Sequence, residues 1–358
     1  MGVLFAVALA ACGGDDELAL RLDQVQVIGT HNSYHRRVEP PLAAALRSFD
    51  AALADTLDYE HLPLDAQLDD GIRQLELDVF ADPAGGHYAE RGTNPLLGRD
   101  RASGVAELDE PGFKVLHIQD VDYESSCVTF TECLEVVADW SLDHPDHLPI
   151  LVLVEAKDDP IPDPGLGFAV PLPIGAAELD ALDEEIRMVF DSDHLLEPDD
   201  VRGDYDTLDE AVTTDGWPTL EDSRGQVLFA LDNEDEVRDA YLVGNPSLEG
   251  RVLFVSVEPG QPAAGFVKLN DPVADGERIA DLVGRGYLVR TRADADTVQA
   301  RTGDTAMRAA ALASGAQFVS TDYPRDDPLF PATYEVRFPG GGLERCNPVS
   351  APPDCELS

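Results

Sequence analysis

Short, nearly continuous apolar runs recur along the chain at residues 25–29, 74–80, 114–119, 150–156, 226–231, 252–257, 287–291 and 317–320. They are rich in β-branched residues, and a run that is apolar at almost every position fits a strand buried on both faces, as in a parallel sheet. Between them lie stretches with helical patterning, notably 131–143, 177–191 and 275–285. Eight strands alternating with helices predict an α/β fold, a single-domain (β/α)8 barrel of the TIM type. The length of 358 residues agrees, since such a barrel takes about 250 residues plus insertions.

Three segments, 82–111, 158–175 and 326–358, break the alternation and read as insertions or loops. The second holds four prolines within thirteen residues from Pro160, which excludes a helix there. The last is rich in Pro and Gly and carries two cysteines. The resulting division is a signal and tether over 1–20, a barrel over 21–325 and a stapled tail over 326–358, with no internal repeat or linker.

Polar residues interrupt the apolar runs in a consistent way. The first run leads into Thr30-His31-Asn32-Ser33-Tyr34-His35, and in the second Glu76 and Asp78 alternate with Leu75, Leu77 and Val79. Period two places both carboxylates on one face, here the barrel interior. His117 lies in the third run, and the fourth closes with Glu155 and Lys157, again one face apart by two. A lone histidine or strand-end glutamate ordinarily packs or pairs locally. Four consecutive strands bringing ionisable groups to one end are a different matter, because buried charge is costly and barrel enzymes place their chemistry at that end.

The residue types narrow the chemistry. Asn32, Glu76, Asp78 and Glu155 offer one amide oxygen and three carboxylates, a hard oxygen set that suits Ca²⁺, whereas zinc would prefer histidine or thiolate. His31 and His117 stay free for proton transfer. With Lys157 they make up what phosphodiester cleavage requires: charge offset on phosphoryl oxygens and a proton for the leaving alkoxide.

Charge changes the picture of partners. Asp and Glu number 70 against 25 Lys and Arg, a net −45, and the only lysines are Lys114, Lys157 and Lys268. Nucleic-acid binding through a basic face is excluded. An anionic lipid would be repelled at long range unless a bound cation offsets the local field. No internal stretch approaches the roughly 18 apolar residues of a membrane span. At the N-terminus, however, an uncharged apolar run ends in Leu9-Ala10-Ala11-Cys12 before Gly13-Gly14-Asp15-Asp16, which reads as a lipoprotein-type export signal with Cys12 as lipidation site and a flexible tether. The segment is short and lacks a basic region; an apolar first strand is the other reading. The remaining cysteines form two close pairs, Cys127/Cys133 and Cys346/Cys355. Two local disulfides in an oxidising compartment fit better than a four-thiolate zinc site, because neither pair has zinc-knuckle spacing.

These residues resemble a known family. Gly29-Thr30-His31-Asn32-Ser33-Tyr34, then 71–79 with Glu76 and Asp78, then His117-Ile118-Gln119-Asp120-Val121-Asp122, then 149–155 ending in Glu155 and followed by Lys157, are similar to the X-region of phosphatidylinositol-specific phospholipases C, nearest the secreted bacterial calcium-dependent branch. The likeness covers most of residues 25–324 and is far more specific over the first four strands than the last four. It implies that His31 acts at the inositol 2-hydroxyl and the phosphorus, and that His117 is general acid toward the diacylglycerol oxygen. Asn32, Glu76, Asp78 and Glu155 would hold Ca²⁺, with Glu76 or Glu155 sharing the base role. The first product would be a cyclic inositol phosphate.

In the second half, Lys268, Arg290 and Arg292 could meet a phosphate and Tyr323 could line an inositol site; pairing of the arginines with Asp294 and Asp296, and packing of the tyrosine, are equally compatible readings. His35 lies beyond any matched position and reads as a loop residue. The expected partners are a phospholipid or inositol phosphodiester and, transiently, a membrane surface, with the protein a monomer. A glycerophosphodiester phosphodiesterase shares the strand-two Glu-x-Asp and the closing Thr-Asp-Tyr-Pro, but His31-Asn32-Ser33 does not fit its opening motif. An inactive lipid-anchored calcium-binding module is the rival outside enzymes, disfavoured by the presence of both histidines.

Overall fold

The structure, a computed structural model, describes residues 19–330 and 333–357. The export segment with Cys12 lies outside the described residues. Among the described residues ten strands are formed: β1 Val25–Thr30, β2 Gln74–Phe80, β3 Lys114–Val115, β4 Ile150–Ala156, β5 Val227–Leu231, β6 Leu253–Val255, β7 Phe266–Lys268, β8 Leu288–Arg292, β9 Phe318–Thr321 and β10 Glu344–Cys346. Eight of them pair in parallel in the order β6-β5-β4-β2-β1-β9-β8-β7. A parallel bridge between Ser256 and Phe266 joins the two ends, so the sheet is a nearly closed barrel. Every residue of β1, β2 and β5 is buried, as expected of strands with helices outside and side chains filling the lumen.

One strand assignment is corrected. The run 114–119 is not a barrel strand: only Lys114 and Val115 pair with one, antiparallel, against Phe80 and Val79. Insertion 82–111 brings the chain back across the end of β2, and the buried Lys114 ammonium fixes that return by donating to the carbonyls of Glu110 at 2.6 Å and Gly112 at 2.9 Å. The eighth barrel strand is instead Phe266–Lys268, three residues too short to show as a run.

The helices follow local signals. Phe130–Asp143 starts where the Thr129 side chain accepts from the Glu132 amide, and Pro272–Gly284 starts where Asp271 accepts from the amides of Val273 and Ala274, with Pro272 in the first turn. Ala176–Val189 completes the trio predicted from periodicity. Segment 158–175 forms no helix. Among the described residues no helix is long and apolar enough to cross a membrane. Both disulfides are formed, Cys127–Cys133 and Cys346–Cys355. The second closes a tail whose strand β10 pairs antiparallel with Val25–Val27 and whose Arg345 donates to Gln26 at 2.8 Å.

Gly29 is where β1 and β2 come closest. A Cβ there would lie 2.1 Å from Gln74 Oε1 and 2.5 Å from Gln74 Cβ. Gln74 cannot yield, because it is fully buried and donates to the carbonyls of Thr30 and Leu75. Gly29→Ala should therefore lower unfolding free energy by about 1–3 kcal/mol, read from urea denaturation at constant m-value.

Candidate active site

The barrel interior is polar at the end where the strands finish. After Thr30 the chain turns tightly: Asn32 takes a left-handed φ of 46°, and its carbonyl accepts from the His35 amide at 2.9 Å. Ser33 fastens this turn to β2, its amide donating to the Glu76 carbonyl at 2.9 Å while its Oγ accepts from the Glu76 amide at 2.8 Å. Beyond the turn the chain runs antiparallel to 124–126. The Ser126 amide donates to the Tyr34 carbonyl at 2.8 Å and the Arg36 amide to the Glu124 carbonyl at 3.1 Å. That pairing carries the His117 segment onto the end of β1.

Each histidine is held through Nδ1 by its own buried carboxylate. His31 Nδ1 lies 2.8 Å from Asp322 Oδ1, and His117 Nδ1 lies 2.7 Å from Asp122 Oδ2. An ionised carboxylate at Nδ1 fixes the tautomer and leaves Nε2 for a ligand. His31 Nε2 points toward Glu76 Oε1 at 3.6 Å. Arg292 also reaches Asp322, at 3.6 Å, and its Nη2 lies 3.4 Å from His31 Nδ1. Burial first, then the Arg292 charge, push His31 down to about 3, against the opposing pull of Asp322. Burial likewise sets His117 below its ordinary value despite Asp122.

The carboxylates meet two cations. Glu76 Oε2 accepts from Arg290 Nη2 at 2.5 Å, and Lys157 Nζ lies 3.0 Å from Asp78 Oδ2 and 3.4 Å from Glu155 Oε2. These cations do not fully compensate. Burial pushes Glu76 up to about 7 in spite of Arg290, and pushes Asp78 well above the carboxylate range in spite of Lys157. Among the oxygens buried here without a partner are Asn32 Oδ1 and Asp78 Oδ1. Asn32 is oriented by donating its amide to Tyr59 Oη at 3.0 Å. Unpartnered buried oxygens beside under-compensated carboxylates fit a hard divalent cation.

Lys268 Nζ donates to the Asp232 carboxylate at 2.7 Å. Arg290 is 1% exposed and also donates to Ser320 and Asn270. Tyr323 is 1% exposed and packs against Phe330 and Tyr334. Arg290 and Tyr323 thus face the protein, whereas His31, His117 and Lys157 keep 18%, 19% and 23% of their side chains accessible.

Sequence reasoning missed Asp122, Asp322, Tyr59 and His61, the last of which contacts the His31 carbonyl through Nε2 at 2.9 Å. Both aspartates stood inside the quoted motifs, but no spacing says which histidine each supports. Among the described residues, the group of metal-ligand type whose atoms all lie within 4.8 Å of one another is His35, His117 and Asp122.

A parallel barrel with carboxylate-held histidines, buried carboxylates and fixed cations at its C-terminal end belongs to the class of phosphodiester-cleaving barrel enzymes. The family model described as Phosphoinositide phospholipase C, Ca2+-dependent, matches residues 20–348, and the chain belongs to that family. No curated protein sequence matches the chain. Its fold is that of a calcium-dependent phosphoinositol-specific phospholipase C from Pseudomonas sp. The apo structure aligns at 15% identity over 91% of this chain and 95% of that one, with a TM-score of 0.55. A myoinositol complex of the Pseudomonas enzyme aligns at 15% identity over 92% and 96%, again at 0.55. The Ca²⁺-dependent enzyme from Streptomyces antibioticus is 22% identical over 85% of this chain and 95% of that chain, with a TM-score of 0.48.

The electrostatics of His31 can be read directly. In calcium-free protein its C2-proton resonance should show no titration step above about pH 5, since the value lies at about 3. Arg292→Gln should move the step up by about one unit. A step near the ordinary histidine value in the unsubstituted protein is the contrary result.

Proposed function

We propose that the enzyme cleaves phosphatidylinositol at the bond between phosphorus and the diacylglycerol oxygen, using the substrate's own inositol 2-hydroxyl as nucleophile. The observation that carries this reading is the pair of histidines, each held through Nδ1 by a separate buried carboxylate. With Nδ1–H donated to Asp322, His31 offers Nε2 to the 2-hydroxyl and accepts its proton, with Glu76 beside it. The hydroxyl oxygen bonds to phosphorus, the bond to the diacylglycerol oxygen breaks, and His117 Nε2–H protonates the departing alkoxide. The products are diacylglycerol and a cyclic inositol phosphate.

Asn32, Glu76, Asp78 and Glu155 are the residues that would hold Ca²⁺, which when bound offsets charge on the phosphoryl oxygens and acidifies the hydroxyl. Lys157 and Arg292 are the cations we assign to the substrate anion; Arg290 and Lys268 act from behind, holding Glu76 and Asp232 in place, and Tyr323 supports the wall by packing. The two disulfides support an exported enzyme, with Cys12 the anchor that would keep a monomer at the cell envelope and in transient contact with lipid.

Phosphatidylinositol in vesicles should yield a cyclic inositol phosphate, followed by ³¹P NMR, and chelation should abolish release. His117→Ala should lose turnover by roughly 10²–10⁴-fold with Ca²⁺ affinity retained in calorimetry. Turnover that survives chelation refutes the metal assignment, and preferential hydrolysis of glycerophosphoinositol would move the protein to the glycerophosphodiesterase reading.

A further inference from the structure

His35 is fully buried, yet the mechanism above does not use it. It lies in the connection after β1, as expected, but is bridged there to Ser125. Its Nε2 lies 2.7 Å from Asp122 Oδ2, the same oxygen that meets His117 Nδ1 at 2.7 Å. One face of its ring is stacked on Tyr59, with centroids 4.2 Å apart, and its edge meets His117 at 5.8 Å. The antiparallel pairing of 34–36 with 124–126 sets the distance between His35 and Asp122 through the backbone.

We infer that His35 is a positioning residue for His117, donating Nε2–H to Asp122 Oδ2 and so fixing both the carboxylate and the Nδ1–H tautomer of His117. An ionised carboxylate only accepts, so each ring nitrogen facing Oδ2 carries a proton. Burial pushes the Asp122 carboxyl up, and its two histidine partners more than offset this and hold it below the ordinary range. His35 Nδ1 is buried without a partner, so Nε2 is the ring's single bonded nitrogen.

A second donor on the same oxygen has a consequence for acid strength. It draws charge from the lone pairs that would otherwise stabilise the His117 imidazolium, and it blocks rotation of Asp122 away from His117. The other groups facing His117 are Asp122, whose charge raises its affinity for a proton, and Lys157 from the end of β4, whose charge lowers it. Around His35 stand Asp122, His117, Tyr59 and, across Tyr59, His61. Of these only Asp122 accepts from His35, so removing the donor acts on His117 through that carboxylate.

The proposal deepens the assignment of His117 as general acid and rests on it. His35→Phe keeps an aromatic ring against Tyr59 but removes the donor, while His35→Gln supplies an amide that can donate to Oδ2. In His35→Phe the NMR titration of His117 should rise by about one unit, and the alkaline limb of the kcat/KM profile should rise with it. His35→Gln should return both toward the unsubstituted values. A loss of turnover equal at every pH, with the limb and the His117 titration in place, overturns the inference. If His117 moves and the limb does not, the positioning role stands and the general-acid assignment falls. ¹⁵N imidazole spectra of the unsubstituted enzyme test the same point without any variant: His117 should carry its proton on Nδ1 and His35 on Nε2, and the reverse tautomer of His117 refutes the proposal.

Discussion

A carboxylate in the middle of a barrel needs a fixed cation, and Arg290 supplies one to Glu76 at 2.5 Å. The guanidinium comes from β8, the carboxylate from β2, and the remaining donors of Arg290 reach Ser320 on β9 and Asn270 just past β7. Ser320 in turn donates to Gln74 at 2.6 Å, and Gln74 occupies the space that Gly29 leaves open. One buried guanidinium therefore registers four strands around the lumen. Removing one partner of such a pair would cost about 3–5 kcal/mol, since the other charge would stay buried alone.

That pair also sets the charge balance above it. Glu76, Asp78 and Glu155 face Arg290 and Lys157, three carboxyl groups to two cations, in a place where burial already pushes Glu76 and Asp78 upward. Three carboxyls over two cations suit a divalent cation, to which the unpartnered Asn32 and Asp78 oxygens would be hard ligands. The same balance answers the −45 net charge of the chain. Exposed acidic groups act on an approaching phosphate only over a Debye length, about 8 Å at physiological ionic strength, whereas buried site cations are screened far less.

Much of this was legible in the sequence. Period two placed Glu76 and Asp78 on the interior face because strand geometry leaves no other choice once Leu75, Leu77 and Val79 pack outward. Burial of a run, however, says nothing about strand direction. Hence 114–119 read as a barrel strand although Lys114 turns it antiparallel, and the three-residue Phe266–Lys268 went unseen. Asp322, Asp122 and His35 were beyond reach for a related reason. Asp322 meets His31 across 291 residues and His35 meets Asp122 across 87, contacts created only when the strands assemble, whereas Asp122 meets His117 five residues away through a turn that no spacing announces.

The two histidines show one device with two settings. In each, a buried aspartate holds Nδ1, and in each a second group contacts the same carboxylate. For His31 that group is the permanently charged Arg292, which adds to burial in lowering its proton affinity and keeping the ring neutral, as the acceptor role proposed for it requires. For His117 the group is an imidazole, His35, which holds the carboxylate by a hydrogen bond without placing a fixed charge beside the ring. A proton donor needs a milder reduction than an acceptor, because it must be reprotonated from water once per turnover. An arginine behind one aspartate and a histidine behind the other add to burial in setting the two rings apart, which suits the base and acid roles proposed for them.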